Sequence, residues 1–146
     1  MSDYVIRIAR DEADRRAAFN LRYELYVAQQ GLFDDVADHE RRELSDEVDE
    51  HAAIFVAEHE GKIVGTARLQ WCNHGLDAQD RELFDIERFT DLVDESEIAI
   101  GGRLLVHPDH RRQPIPALIM IRMVEELVER GTELVLSDCE PHLVNT

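Results

Sequence analysis

The stretch Leu104-Leu105-Val106-His107-Pro108-Asp109-His110-Arg111-Arg112-Gln113-Pro114-Ile115-Pro116-Ala117-Leu118 reads as an apolar strand running into a tight basic loop that opens a helix. A helix starts with backbone NH groups that lack partners, and its dipole places partial positive charge there, so the junction favours an anion, phosphate above all. Arg111 and Arg112 add two guanidinium groups. Pro114 and Pro116 suit a first helical turn but have no NH to donate. The donors left for an anion are the amides of Arg112, Gln113, Ile115 and Ala117 with the two arginine side chains. An ordinary proline-started helix after a basic turn is the competing reading; it explains the prolines better than the arginines.

Outward from this junction, Glu97 to His107 is the strand that feeds the loop, and its Gly101-Gly102 pair marks a bulge or the close approach of another backbone. Without a bulge Glu97, Arg103 and His107 share a face; one extra residue puts Glu97 opposite the other two. Pro114 to Arg130 is a helix with Ala117, Leu118, Ile121, Val124, Leu127 and Val128 on one stripe, stopped by Gly131. Glu133 to Cys139 is the next strand, and Asp138-Cys139-Glu140-Pro141 turns into a further element. Left bare, that strand's edge invites another strand, either from a second copy in a homodimer or from a partner segment; a short, frayed and solvated strand is the alternative.

Toward the N-terminus, Tyr4 to Ile8 alternates as a strand. Asp11 caps a helix whose first turn holds Glu12 and Asp14, with Ala18, Leu21, Leu25 and Ala28 at helical spacing as far as Gly31. Tyr23 and Tyr26 lie beside that stripe, packed in the core or lining an acceptor pocket. Asp34 to Glu50 holds nine acids against Arg41 and Arg42, with His39 and His51 near its ends; it reads as a helix or loop with a solvated charged face, or as the flank of an opening that attracts an amine. Ala52 to Glu58 and Lys62 to Trp71 form a hairpin about Glu60-Gly61. Asn73 to Asp80 is a loop, and Arg81 to Val93 a short helix or irregular crossover.

At 146 residues, with 44% hydrophobic and 33% charged residues, the chain fits one soluble globular domain, 1–146. A formal charge of -16, from 32 acids and 16 bases, argues against nucleic acid or an anionic membrane as partner. No apolar run is long enough to span a bilayer and Met1-Ser2-Asp3 opens no signal peptide, so the location expected is cytoplasmic. Cys72 and Cys139 share no metal-binding or redox spacing and read as small buried hydrophobes, and no clustered metal ligands occur. Neither a nucleophile elbow nor a P-loop lysine is present.

Two features of the quoted stretch resemble the GNAT (GCN5-related N-acetyltransferase) acyltransferases. Val106-His107-Pro108-Asp109-His110-Arg111 matches the Val-x-Pro-x-x-Arg run that ends the family's fourth strand, and Arg111 takes the first position of its pyrophosphate loop, Gln/Arg-x-x-Gly-x-Gly/Ala. Pro114 and Pro116 stand where the family has Gly and Gly/Ala. The run Gly65-Thr66-Ala67-Arg68-Leu69, with Leu21 to Val27 and Asp46 to Asp49, resembles the branch containing N-acyl amino acid synthases, autoinducer synthases and small bacterial acetyltransferases.

The resemblance implies an α/β (α+β) fold: a mixed, mostly antiparallel central sheet flanked by helices, lacking the family's C-terminal helix and last strands. It implies an N-acyltransferase that moves an acyl group from acetyl-CoA, another acyl-CoA or an acyl carrier protein to a primary amine of an amino acid or small metabolite, without a metal. Under it, the backbone of Leu105 and Val106 meets the thioester arm, and Arg111, Arg112, Gln113, Ile115 and Ala117 hold the phosphates. Glu97 is the candidate base, with a solvated strand-end carboxylate as the plain alternative; His107 is the substitute base if a bulge turns Glu97 away, with a satisfied structural histidine as its own plain alternative. Arg103 holds a carboxylate on the acceptor or pairs with a neighbouring acid; Tyr26 lines the acceptor pocket. A GNAT-like module that binds a ligand or partner without turnover is the second reading, favoured by the two prolines.

Overall fold

The computed structural model describes residues 3–138. Five strands, β1 (Tyr4–Ile8), β2 (Ala53–His59), β3 (Lys62–Trp71), β4 (Ile98–Val106) and β5 (Leu134–Ser137), form one sheet in sequence order. The first three pairings are antiparallel and β4–β5 is parallel, so the sheet is mixed and open, as the resemblance implied. The parallel step needs a crossover, which the helix α3 (Ile115–Glu129) supplies. The β2–β3 turn is tight because Glu60 and Gly61 both take positive φ, 51° and 78°, the geometry of a primed two-residue hairpin.

Alternation along the strands builds two cores. Phe55, Ala67, Leu69, Trp71 and Ala99 face one side and pack against Ile115, Ile119 and Leu127 of α3. Ile54 and Val56 face the other side, against Ala18 of α1 (Glu12–Arg22), whose N-cap Asp11 accepts from the Asp14 amide at 2.9 Å. Further along that face Ile98 and Ile100 are covered by Ile86, Phe84 and Phe89. Gly65 lets α3 come close: a Cβ there would stand 3.1 Å from both Ile115 and Ile119 side chains.

Helix α1 does not continue unchanged to Gly31. From Tyr23 to Gln29 it widens into π-helical turns, and it stops where Gly31 adopts φ 68°. Residues 34–50 hold turns, an isolated Asp38–Glu43 bridge and a single 3-10 turn, Glu47–Glu50. The segment read as a loop and crossover contains a short helix, α2 (Ala78–Leu83), capped by Asp77. None of its residues is buried, so no apolar stripe marks it, and it starts three residues before the short helix or crossover read from Arg81. Helix α3 begins one residue later than expected, with Pro114 as cap, and ends before Gly131 at φ 70°. Strand β5 is shorter than Glu133 to Cys139, and the turn through Cys139, Glu140 and Pro141 lies outside the described residues. No helix among the described residues is long and apolar enough to cross a membrane.

Candidate active site

The sheet opens at β4. Between Arg68 and Thr66 on β3 the register advances two residues, while on β4 it advances three, from Gly102 to Leu105. The extra residue falls at Arg103–Leu104, and Arg103 bears it with φ 56°. Gly101 and Gly102, read as the bend, precede it and neither has positive φ. What they provide is room: a Cβ on Gly102 would meet nothing within 4 Å, and one on Gly101 would only touch Leu69 and Met123. The bulge inverts the face parity, so Ala99 points toward α3 before it and Val106 does so after it.

Strand β5 accompanies β4 only from Ile98 to Gly101. Beyond that point β4 has no strand on this edge among the described residues. The His107 amide donates to the Val64 carbonyl at 2.8 Å, into the β3 ladder. Amides alternate along a strand, so Leu105 also faces β3 and Val106 faces the open edge. Of the two residues expected to meet a thioester, Val106 therefore offers its backbone, while Leu105 lines the space beside it. That space is a cavity of about 790 Å³ between β4, β5 and α3, with Leu104, Met120, Met123, Val124 and Leu127 in its apolar wall.

A second cavity, about 390 Å³, lies on the other face of β4 and shares Tyr26, Gly101, Gly102, Arg103 and Asp138 with the first. Arg103 reaches it beneath two rings, its guanidinium carbon 4.7 Å from the Phe33 centroid and 5.6 Å from that of Tyr26, and lies 3.7 Å from an Asp46 oxygen. The paired-acid alternative for Arg103 is thus present in the structure. Tyr26 lines both cavities, whereas Tyr23 is buried and exchanges a 2.8 Å hydrogen bond with His39 Nδ1.

Arg103 ends a chain of charges that runs from the buried Arg22, Asp49 and Arg68 to the exposed Asp46. Arg22, 1% exposed, donates to both Asp49 oxygens at 2.8 and 3.0 Å; Arg68 donates to Asp49 at 3.1 Å and to Asp46 at 2.8 Å. Asp46 and Asp49 also cap each other's backbone in a capping box. Burial acts to raise the Asp49 pKa, but the Arg22 hydrogen bonds, the Arg22 and Arg68 charges and the Asp46 amide outweigh it and hold the carboxyl below its ordinary value. Sequence reasoning assigned a role to Arg103 but none to Arg22, Asp46, Asp49 or Arg68. Its available signal was Thr66, Arg68 and Gln70, three polar residues at alternate positions of an otherwise apolar strand, all buried on one face.

Asp80, on α2, also lines the second cavity. Burial and then the Asp77 charge push its pKa above the ordinary value, with Asp46 adding to them and Arg68 and Arg103 opposing. Glu97, the sequence-based candidate base, lies before the first residue of β4, six residues from the bulge arginine, and lines neither cavity. His107 lines neither of them; it borders a separate depression beside α1 with Leu21 and Leu25, and its Nδ1 accepts from the Asp109 amide at 3.2 Å. Cys72 is buried and its thiol is pushed up to about 11, first by burial and then by Glu95, so it offers little thiolate at neutral pH.

At the loop, the Arg111 Nε donates to the Val106 carbonyl at 3.1 Å, tying the basic turn to the strand end. Arg112 and Gln113 are exposed, but the Gln113 amide donates to the His110 carbonyl at 3.1 Å and is spent within the turn. This corrects the set of free donors. Helix hydrogen bonding starts with Leu118 to Pro114, leaving the amides of Arg112, Ile115 and Ala117 without a backbone acceptor among the described residues. The Ile115 side chain is fully buried under the sheet, so only its backbone is available at the loop.

A sheet split at a bulged fourth strand, with a helix N-terminus at the mouth of the split, has close counterparts in solved structures. The CoA-dependent acyl-homoserine lactone synthase BjaI, solved with MTA, superposes with TM-score 0.78 at 17% identity, over 97% of this chain and 69% of its own. The similar synthase MesI gives 0.72 at 24%, over 97% and 73%. An aminoglycoside acetyltransferase, meta-AAC0020, from an uncultured soil metagenomic sample and solved with sisomicin, gives 0.59 at 19%, over 96% and 83%. At these identities the likeness is one of fold. Among curated proteins compared by sequence, none matches. The sequence profile of the acetyltransferase (GNAT) domain matches residues 21–121, the segment that carries the charge chain, the hairpin, the bulge and the basic loop, and the chain belongs to that family.

Proposed function

We propose that the protein is an N-acyltransferase that takes an acyl group from acyl-CoA and passes it to a primary amine. One observation carries this: two cavities, one apolar and open to the free edge of β4, the other lined by charged and amide side chains, meet at the backbone of Gly101, Gly102 and Arg103. A thioester in the first presents its carbonyl where an amine from the second can attack it. Holding the two reactants at that shared wall supplies most of the rate. The Val106 amide, on the free edge of β4 beyond that wall, is a donor suited to the arm that leads from the thioester to the phosphates. The nitrogen lone pair forms the new C–N bond, the C–S bond breaks, and the departing thiolate takes a proton.

The α3 start, with the amides of Arg112, Ile115 and Ala117 and the side chains of Arg111 and Arg112, is the phosphate end of this reading. Support for CoA as donor comes from BjaI, which has been solved with SAM and isopentyl-CoA; that structure shares 18% identity and TM-score 0.71 over 90% of this chain and 61% of its own. The second reading, a ligand-binding module without turnover, is favoured by the loss of donors at Pro114, Pro116 and Gln113. Calorimetry with acetyl-CoA and a long-chain acyl-CoA, followed by assay of CoA release with amines, separates the two. Binding with amine-dependent release supports the transferase, binding alone supports a module that binds acyl-CoA, and no binding by the folded protein overturns acyl-CoA as the ligand in either reading.

A further inference from the structure

Gln70 is 5% exposed, lines the second cavity, and its Oε1 is buried with no hydrogen-bond partner among the described residues. An orphaned buried acceptor costs about 1–3 kcal/mol of desolvation, so its retention points to a donor that arrives with a ligand. The rest of the wall narrows that donor's chemistry. The guanidinium of Arg68 is taken up by Asp46 and Asp49, and Arg103 by Asp46 and two rings, whereas no side-chain hydrogen bond or ion pair engages the Asp80 carboxylate among the described residues. Asp138, past the end of β5, lines the same cavity and its carboxylate is likewise unengaged among the described residues, so an acceptor oxygen and two carboxylates form a receptor for a group rich in N–H donors.

We infer that Gln70 and Asp80 together receive the amine nucleophile, Gln70 Oε1 accepting one N–H to orient it and the Asp80 carboxylate taking its proton. The inference rests on the acyl-transfer reading and adds to it the residues that handle the amine. The amine enters as an ammonium; one N–H proton passes to Asp80, and the freed lone pair attacks the thioester carbonyl carbon. Collapse breaks C–S, the second proton goes to the thiolate, and Asp80 returns its proton to water, so one proton is released per amide formed. The groups facing Asp80 suit it to accept a proton. Asp77 from the cap of its own helix and Asp46 from the segment before β2 raise its proton affinity, while Arg68 of β3 and Arg103 of β4 restrain the rise. A base whose pKa approaches that of its substrate removes the proton more readily. The sequence-based candidate, Glu97, borders neither cavity.

The test uses ethylammonium as probe, followed by NMR at the Gln70 side-chain amide and the Asp80 backbone amide, alongside calorimetry with acetyl-CoA. Saturable shifts at both groups are expected in the wild type, with the Asp80 shift lost in Gln70→Leu and the Gln70 shift lost in Asp80→Asn. Gln70→Glu, which keeps shape and places a carboxylate at the same point, should bind the probe at least as well, a gain that a purely structural role for Gln70 does not provide. CoA release from acetyl-CoA with ethylamine should fall about 10²- to 10⁴-fold at neutral pH in Asp80→Asn. That deficit should shrink about tenfold per pH unit as free amine accumulates. Absence of saturable shifts in a protein that binds acetyl-CoA, or weaker probe binding by Gln70→Glu, overturns the amine receptor and leaves the CoA reading intact. Ethylammonium shifts without acetyl-CoA binding do the reverse. A wild type that releases no CoA with ethylamine, or an Asp80→Asn rate and pH profile equal to the wild type, overturns the proton-acceptor role.

Discussion

Replacing Asp49 by Ala removes the carboxylate that holds Arg22 and one of the two that hold Arg68. Arg22 is 1% exposed, and the Leu44 carbonyl at 3.5 Å is its remaining polar partner among the described residues. Its charge would stay buried without compensation, a change that costs about 3–5 kcal/mol. Against a total stability of about 5–15 kcal/mol this is a large fraction. It corresponds to a fall in Tm of about 10–20 °C for a domain of this size. Arg16 and Glu12 form a control, an exposed i,i+4 pair at 3.2 Å whose loss should cost no more than about 0.5 kcal/mol. Swapping both buried partners, Arg22→Met with Asp49→Leu, should cost less than Asp49→Ala alone, because no charge at position 22 is then stranded.

The same pair gives a pH signature. The folded Asp49 pKa lies below its ordinary 3.8, so the unfolded state binds the proton first as pH falls. Its contribution is complete above about pH 5, declines as pH drops through 4, and is gone below the folded pKa. Urea midpoints at pH 7, 5, 4 and 3 should therefore fall steeply in the wild type at the acid end, and less steeply in Asp49→Ala. The reasoning is refuted if Asp49→Ala shifts the pH 7 midpoint no more than Glu12→Ala does.

Gly65→Ala should push the start of α3 by a few tenths of an ångström against Ile115 and Ile119, costing about 1–3 kcal/mol in a urea titration and weakening acetyl-CoA binding. Arg111→Ala with Arg112→Ala should weaken CoA binding and flatten its dependence on salt; unchanged affinity would remove the loop from the phosphate site. Pro114→Gly with Pro116→Gly should tighten CoA binding by about 1 kcal/mol for each restored NH that reaches a phosphate oxygen, partly offset by a freer unfolded chain. A folded double variant that binds no better would show that missing donors do not limit affinity.

Much of the fold was legible because alternation and helical period act locally. Strands β1 and β3 run as read, and α3 is bounded by the residues that punctuate it, Pro114 and Gly131. The bulge was misread by one residue because glycine is the usual bearer of positive φ. Here Arg103 bears it, held by Asp46 and the rings of Phe33 and Tyr26, contacts that join segments distant in sequence. The second cavity was hidden for a related reason. Its wall draws Tyr26 from the helix, Gln70 from β3, Asp80 from α2 and Arg103 from β4, and no spacing along the chain records that convergence. The loop was the reverse case: its arginines and prolines were plain in sequence, while the loss of the Gln113 amide to a turn required coordinates.

The central claim is that an acyl-CoA thioester lies along the free edge of β4 with its phosphates at the start of α3. Titrating acetyl-CoA into the ¹⁵N-labelled protein and following its backbone amides tests this most directly. Saturable shifts should concentrate at Leu104 and Val106 and at Arg112, Ile115 and Ala117, with Gln113, already bonded to His110, moving less. Shifts confined to other surfaces, or none at all in a folded protein, would contradict the claim.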